Sequence, residues 1–299
     1  MKKFILSSIV TLTFLTLGFL MLHYELIGYG LSFFVFLPFT LGYILGESTF
    51  KSWSFYGLMS SIVLFLIMLL LGGLEGMICV LMSLPIVFAA MFIGILIKRF
   101  LRLRKEKRVL PNTLKIVISP FLLFILLGIG EGQFINGKKV IEEVSTEIVL
   151  PYSTGQVYDA IKSVDTLDAE KPFLMKLDLP VPQKCILEEE KVGGHRTCYF
   201  EGGLIVEEIT ELERGKILKM DVIDYQLTGR KWLGFKEAIY TFESLKDGNC
   251  KMVRTTTYTS ELYPRFYWKP LEEWGIQQEH EYVFRNLKQD LINQTKVTQ

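Results

Sequence analysis

Hydrophobic positions are distributed unevenly along the 299 residues of this chain. Up to about residue 135 they form long apolar runs, and after it they alternate with charged positions. About 20 mostly apolar residues are needed for a helix to cross a bilayer. The pattern therefore predicts an α-helical transmembrane bundle in residues 1–135, with about five spans near residues 4–22, 26–45, 53–71, 77–97 and 114–130. The fifth segment is short and contains Pro120.

Basic residues in the loops between these segments predict an orientation. Lys2 and Lys3 precede the first segment, and the loop after the fourth carries seven Lys or Arg residues between positions 98 and 108. The first and third loops carry neither. Since basic loops stay in the cytoplasm, we expect the N-terminus to lie inside. From the general style of the sequence we expect a multi-pass protein of a bacterial cytoplasmic membrane. Five crossings put the C-terminal half on the outer face, whereas four leave it in the cytoplasm.

The second half has the pattern of a water-soluble α+β domain over residues 140–294, followed by a tail at 295–299. A strand is predicted at residues 144–150, and Ser153 with Gln156 forms a capping box that begins a helix. Residues 165–184 lack periodicity and form a candidate lid. The remaining pattern predicts strands near 184–190, 195–201, 204–212, 216–222, 236–245 and 249–259, and a helix over 271–293 whose apolar stripe is Ile276, His280, Val283, Leu287 and Leu291.

Two glycine-containing turns set the expected strand registers. A two-residue turn at Gly193-Gly194 would pair Glu189 with Cys198, which leaves Cys185 beyond disulfide reach, so no bond between the two cysteines is expected. A two-residue turn at Asp247-Gly248 would pair Phe242 with Val253, Tyr240 with Thr255, and Ala238 with Thr257.

Composition and the lack of known motifs argue against several classes of function. The net charge of +1 argues against nucleic acid as a partner. The four cysteines form neither a CxxC motif nor a Cys/His cluster, and the chain has no phosphate-binding loop, dinucleotide-binding motif or nucleophile elbow. No metal, cofactor or catalytic residue is therefore assigned. Ionisable residues lie at the ends of the apolar segments, which argues against an ion-coupled transporter.

Four segments resemble a known superfamily. The strand, proline and capped helix of IVLPYSTGQVYDAI look like the start of a START-like, or SRPBCC, domain, and later parts are similar in GGHRTCYFEGG, TSELYPRFYWKPLEEW and EHEYVFRNLK. The resemblance covers about residues 144–293 and does not explain the membrane half. It implies the helix-grip fold, a curved antiparallel sheet around a long C-terminal helix, with a hydrophobic ligand held between them. It supplies no shared catalytic residues.

Candidate residues for that cavity follow from the expected strand faces and the helix stripe. His280 is either a polar anchor or general base, or, more commonly at such positions, a buried hydrogen-bonded core residue. Arg196 is either an anion-binding group held by Glu189 or, as we favour, part of an ion pair in water at a strand edge. The full candidate set is His280, Tyr240, Phe242, Thr255, Thr257, Arg196, Phe200 and Val283.

The function expected from these observations is binding of a hydrophobic small molecule or lipid by a membrane-anchored START-like domain. Its partners would be the lipid bilayer and that ligand, with no nucleic acid. Two alternatives stay open. One is a polyketide-cyclase-like enzyme that uses His280 or Tyr240 as acid or base, and the other is a non-catalytic interaction module that regulates a membrane partner.

Overall fold

The computed structural model describes residues 1–45, 52–104, 113–135, 139–227 and 232–297. The chain forms two compact units. One, the helical unit, comprises Met1–Lys139 with Glu261–Trp268, and the other, the sheet unit, comprises Val140–Ser260 with Lys269–Gln299.

Apolar helices make up most of the helical unit. They are α1 (Lys2–His23), a π-helical turn (Ser32–Phe36) that continues into α2 (Leu37–Leu45), α3 (Trp53–Leu71), α4 (Met77–Arg104) and α5 (Thr113–Ile135). Helices α2 and α4 approach closely through Gly42 and Gly94. A Cβ atom on Gly42 would overlap the main-chain oxygen of Met91, and one on Gly94 would overlap that of Phe39. Small residues allow this packing in apolar bundles.

Among the described residues, three helices are long and apolar enough to cross a membrane: Lys2–His23, Trp53–Leu71 and Met77–Leu101. The prediction of about five full-length spans is not supported. In the part of the chain that the structure describes, the second and fifth segments form shorter apolar helices, Ser32–Leu45 and Phe121–Gln133. The second is short because the chain turns between residues 24 and 31, where Gly28 and Gly30 interrupt the apolar run, and helix begins only at Ser32.

In the part of the chain that the structure describes, the sheet unit contains seven strands: β1 (Val140–Leu150), β2 (Pro182–Leu187), β3 (His195–Phe200), β4 (Gly203–Glu213), β5 (Ile217–Leu227), β6 (Leu233–Ser244) and β7 (Cys250–Ser260). They form one antiparallel sheet in the order β1-β7-β6-β5-β4-β3-β2. The short helices α6 (Thr154–Lys162) and α7 (Phe173–Lys176) follow β1, and the long helix α8 (Arg265–Val297) follows β7. The prediction of a curved antiparallel sheet with a C-terminal helix is confirmed.

Local patterns in this unit agree with the structure. Ser153 and Gln156 form the predicted capping box at the start of α6. The α8 stripe from Ile276 to Leu291 is buried as predicted. The helix itself begins at Arg265 rather than near residue 271, and Pro270 lies inside it. The sequence suggested a later start because proline usually interrupts a helix.

The candidate lid is fastened to α8. The Asn286 side-chain oxygen accepts hydrogen bonds from the main-chain N–H groups of Asp168 and Ala169, both at 2.8 Å. The Tyr282 hydroxyl donates to the Leu167 carbonyl, also at 2.8 Å. Residues 165–181 therefore lie against the helix as a strap.

The β6–β7 hairpin differs from its predicted register by one residue. Its loop holds five residues, 245–249, rather than two, with Gly248 at φ +80. Phe242 consequently pairs with Met252, Tyr240 with Arg254, and Ala238 with Thr256. Because side chains alternate between the two faces of a sheet, this shift puts Arg254 and Thr256 on the face toward α8, and Thr255 and Thr257 on the opposite face.

The β2–β3 hairpin also has a longer loop than predicted. Cys185 pairs directly with Cys198, at a Cα separation of 4.0 Å, and their sulfur atoms are bonded at 2.05 Å. The prediction of no disulfide was therefore wrong. The error came from assuming a turn at Gly193-Gly194. Leu187 pairs with Arg196, and the Glu188 N–H donates to the His195 carbonyl at 2.9 Å, so residues 189–194 all belong to the loop.

Candidate functional site

A row of polar side chains divides the apolar packing between the sheet and α8. Along β7 the α8-facing positions run Met252, Arg254, Thr256, Tyr258. Met252 belongs to one buried apolar cluster and Tyr258 to another. Helix α8 has the same arrangement. Its Glu279 and His280 lie between Ile276, which is in the cluster of Tyr258, and Val283, which is in the cluster of Met252. We call this row the polar band, and its members are Thr146, Arg196, Glu207, Tyr240, Arg254, Thr256, Glu279 and His280.

An ion pair between β7 and α8 forms the centre of the band. Arg254 and Glu279 meet as a fork, with Nη1 3.1 Å from Oε1 and Nη2 2.9 Å from Oε2. Both side chains are mostly buried, with 11% of Arg254 and 18% of Glu279 exposed. Burial raises the pKa of the Glu279 carboxyl above its ordinary value, and the charge of Arg254 offsets part of that effect.

A second ion pair lies on neighbouring strands. Arg196 on β3 and Glu207 on β4 are register partners, and Arg196 Nε donates to Glu207 Oε2 at 2.7 Å. The side chains are only 2% and 7% exposed. The interpretation of Arg196 as a water-exposed strand-edge residue was thus wrong, as was its assignment to Glu189, which pairs instead with Lys191.

Tyr240 connects the two pairs. The centre of the Tyr240 ring lies 5.3 Å from the guanidinium carbon of Arg196 and 5.4 Å from that of Arg254. Both distances are typical of cation–π contacts. One aromatic ring therefore holds two buried cations near each other.

His280 is completely buried and bridges α8 to two strands. Its Nε2 lies 2.8 Å from the Thr256 hydroxyl on β7, and its Nδ1 lies 2.9 Å from the Thr146 hydroxyl on β1. Burial, and next the nearby charge of Arg254, lower the pKa of His280 well below 6.5. The ring is therefore neutral at neutral pH, and each ring nitrogen has a hydroxyl partner.

One buried donor in the band has no acceptor. Arg254 Nε is shielded from water and makes no hydrogen bond with any residue that the structure describes. An unsatisfied buried donor costs about 1–3 kcal/mol, more for a charged group, so such atoms are rare in native proteins.

The other predicted cavity residues lie outside the centre of the band. Phe242 and Val283 belong to the larger apolar cluster, where the Phe242 ring packs 5.7 Å from that of Tyr158. Phe200 is half-buried at the end of β3. On the face away from α8, the Thr255 hydroxyl shares a hydrogen bond with Ser145 at 2.7 Å, and that of Thr257 donates to Glu237 at 3.5 Å. The sequence thus identified three members of the band: Arg196, Tyr240 and His280.

Five members were missed as candidates: Thr146, Glu207, Arg254, Thr256 and Glu279. Glu207 had a detectable signal, because it occupies the same alternating positions as the buried Ile205 and Ile209. The two-residue turn expected between β6 and β7 put Arg254 and Thr256 on the face away from α8, because it shifted the register of the two strands by one residue. Among the described residues, no group of three or more His, Cys, Asp or Glu side chains is arranged to hold a metal ion.

No family model matches this chain, and no curated protein matches it. Solved structures similar to it include a START superfamily protein from Mycobacterium smegmatis, at 9% identity and a TM-score of 0.38, covering 50% of this chain and 97% of that one. A protein of unknown function from Staphylococcus aureus is 16% identical with a TM-score of 0.38, and covers 54% and 99%. Ara h 8.0201 is 11% identical with a TM-score of 0.36, and covers 52% and 99%.

Proposed function

We propose that the sheet unit binds a hydrophobic small molecule or lipid between its sheet and α8, and that the helical unit anchors it in a bacterial cytoplasmic membrane. The observation that carries this proposal is the polar band, which interrupts apolar packing at the position where such a ligand would lie. Ligand sites of this kind are mainly apolar, with a few polar groups that fix the orientation of the ligand.

Stability alone does not account for the band. Removing a charged group from water costs several kcal/mol, and replacing a buried ion pair with apolar residues is often neutral or stabilising. The band contains two such pairs, Arg196–Glu207 and Arg254–Glu279. Their presence between two apolar clusters is better explained by a role in recognition.

We also propose five crossings for the helical unit, of which three are made by the long apolar helices and two by the shorter ones. At one end, Ser7 Oγ donates to the Ser54 carbonyl at 2.8 Å, and Lys98 Nζ donates to the Ile44 carbonyl at 2.6 Å. The carboxylate of Glu131, near the end of α5, accepts bonds from the N–H groups of residues 31 and 32, at 2.7 and 2.8 Å. Helix α5 thus ends where the second apolar helix begins, and that helix ends beside Lys98. The chain would leave the membrane on the side opposite the basic loop.

The disulfide agrees with that orientation. Disulfides persist outside the cytoplasm, where no thiol-reducing system acts. The bond between Cys185 and Cys198 therefore fits a sheet unit on the outer face.

The enzymatic alternative gains no support from His280, since hydroxyl groups occupy both of its ring nitrogens. The interaction-module alternative would be favoured by a sheet unit that retains no ligand, and the following experiment separates it from ligand binding.

The test is native mass spectrometry of the full chain, purified in a mild detergent, with extraction and identification of retained molecules. We expect one tightly held adduct per chain. Ala238→Leu, which adds bulk to the buried face toward α8, should reduce its occupancy several-fold. Thr241→Leu on the exposed face of the same strand is the matched control and should leave occupancy unchanged. A wild-type chain that carries no adduct and takes up no added lipid would overturn the proposal.

A further inference from the structure

The unpartnered Arg254 Nε identifies the type of group that the ligand presents to the polar band. We infer that the ligand is an amphipathic anion, whose carboxylate or phosphate oxygen accepts a hydrogen bond from Arg254 Nε beside Tyr240. This inference rests on the proposed function. An apolar ligand without an acceptor would leave this buried donor unsatisfied.

The donors of Arg254 are divided between two directions. Nη1 and Nη2 face Glu279, which uses both carboxylate oxygens on them. The Nε–H is therefore the remaining position at which a second acceptor completes the coordination of the buried cation. Hydrogen bonds from a charged donor to a charged acceptor are about twice as strong as neutral ones, which favours an anion over an ester or alcohol.

The electrostatics of the band also favour an anion. The guanidinium groups of Arg196 and Arg254 share the Tyr240 ring, so two positive charges lie near each other in a region of low dielectric. Each guanidinium also has a carboxylate partner, Glu207 or Glu279, so a negative head group would interact favourably at the remaining Nε–H of Arg254. His280 is neutral and adds no charge to the band.

A panel of four probes tests this inference on the full chain in detergent, with bound probe counted by native mass spectrometry. Oleate and monododecyl phosphate carry an anionic head on an alkyl chain. Oleyl alcohol has the same chain as oleate with a neutral head, and inorganic phosphate has the head alone. We expect both amphipathic anions to bind about ten- to a hundredfold more tightly than oleyl alcohol, the range of a charge-assisted hydrogen bond.

Arg254→Lys keeps a positive charge but removes Nε, and Arg254→Met with Glu279→Met removes the ion pair as a unit. The double variant guards against misfolding, because it leaves no buried charge unpaired. Both should lose the preference for anions and still bind oleyl alcohol. Arg285→Gln, at an exposed position of α8, is the matched control and should behave as wild type.

The outcomes separate the two proposals. Equal binding of oleate and oleyl alcohol, unaffected by the Arg254 variants, would overturn the anion inference and leave ligand binding intact. Inorganic phosphate binding as tightly as monododecyl phosphate would overturn the amphipathic part of the inference. If the wild-type chain binds no probe and retains no adduct, both proposals fail.

Discussion

Arg254 and Glu279 join β7 to α8 through a fork of two contacts, at 3.1 and 2.9 Å, with both side chains mostly buried. Removing one partner leaves the other charge buried and unpaired, whereas removing both leaves no unpaired charge. We therefore expect Glu279→Met to lower the free energy of unfolding by about 3–5 kcal/mol, and the additional change Arg254→Met to restore most of that loss.

The measurement is hydrogen exchange of the β7 amides in the full chain, read as a free energy of opening. Lys251→Met provides the control, because Lys251 lies on β7 and pairs with Glu147 of β1 at side-chain exposures of 32% and 64%, so the loss of this more exposed pair should cost less than about 1 kcal/mol. A double variant as unstable as Glu279→Met would show that the unpaired charge is not the cause of the instability.

The buried faces of the strands and of α8 could be predicted from the sequence, whereas the strand register could not. The alternation along β1 and the stripe on α8 follow from burial, which acts on every second strand residue and on every third or fourth helix residue. Those faces were therefore predictable. Strand pairing depends on loop length, and five residues at 245–249 where two were expected moved Arg254 onto the face toward α8. The centre of the candidate site was consequently missed, although the sheet around it was not.

The partners of the buried ion pairs could not be predicted from the sequence either. Arg196 was matched to Glu189 through an incorrect turn, while its actual partner, Glu207, lies on the following strand. The choice between two glutamates depends on a register that short-range pattern does not determine. His280 was identified because its position on the α8 stripe needs only helical periodicity.

The disulfide between Cys185 and Cys198 should contribute measurably to stability. It closes a loop with a sequence separation of 13, for which chain entropy gives about 3 kcal/mol. Replacing both cysteines with serine should lower the free energy of opening of β2 and β3 by about that amount, as measured by hydrogen exchange. Cys250→Ser is a poor control because that thiol is buried, so Cys79→Ser, in the helical unit, is preferred. An unchanged exchange rate in β2 and β3 would contradict this role.

His280 should make the stability of the sheet unit depend on pH. Its pKa is depressed in the folded state, so between that value and the ordinary 6.5 the unfolded chain binds more protons. Stability is then fully present above about pH 7 and falls as the pH decreases, by up to about 1.4 kcal/mol per pH unit. The raised pKa of Glu279 acts in the opposite sense above its ordinary range, so the contribution of His280 is read as the difference between wild type and a His280 variant between about pH 7.5 and 5.5.

The variant His280→Gln should be less stable than wild type at pH 7.5 but should lose much of this dependence. His195→Gln is the matched control, since its ring is 45% exposed, and it should retain the wild-type slope. Thermal unfolding of the full chain at several pH values provides the measurement. A slope that persists in His280→Gln would assign the titration to another group.

Asn286 should hold the strap against α8. Replacing it with alanine removes both bonds to the N–H groups of Asp168 and Ala169, at about 0.5–1.5 kcal/mol each. Amides in residues 165–171 should exchange faster, while those of β4 should not change. Gln278→Ala, on the same helix, is a control with no contact to the strap in the described hydrogen bonds. Equal exchange in Asn286→Ala and wild type would show that the strap is held by its apolar contacts alone.

Membrane orientation can be tested with single reporter cysteines in a chain whose Cys79 and Cys250 are replaced by serine. Trp53→Cys marks the end of the helical unit where α3 begins, Leu74→Cys marks the opposite end, and Lys139→Cys marks the residue directly before β1. Five crossings with a cytoplasmic N-terminus predict that an impermeant maleimide labels positions 74 and 139 on intact cells and reaches position 53 only after lysis. If position 139 is protected together with position 53, α5 does not cross. The sheet unit would then lie in the cytoplasm, where the Cys185–Cys198 disulfide would not be expected to persist.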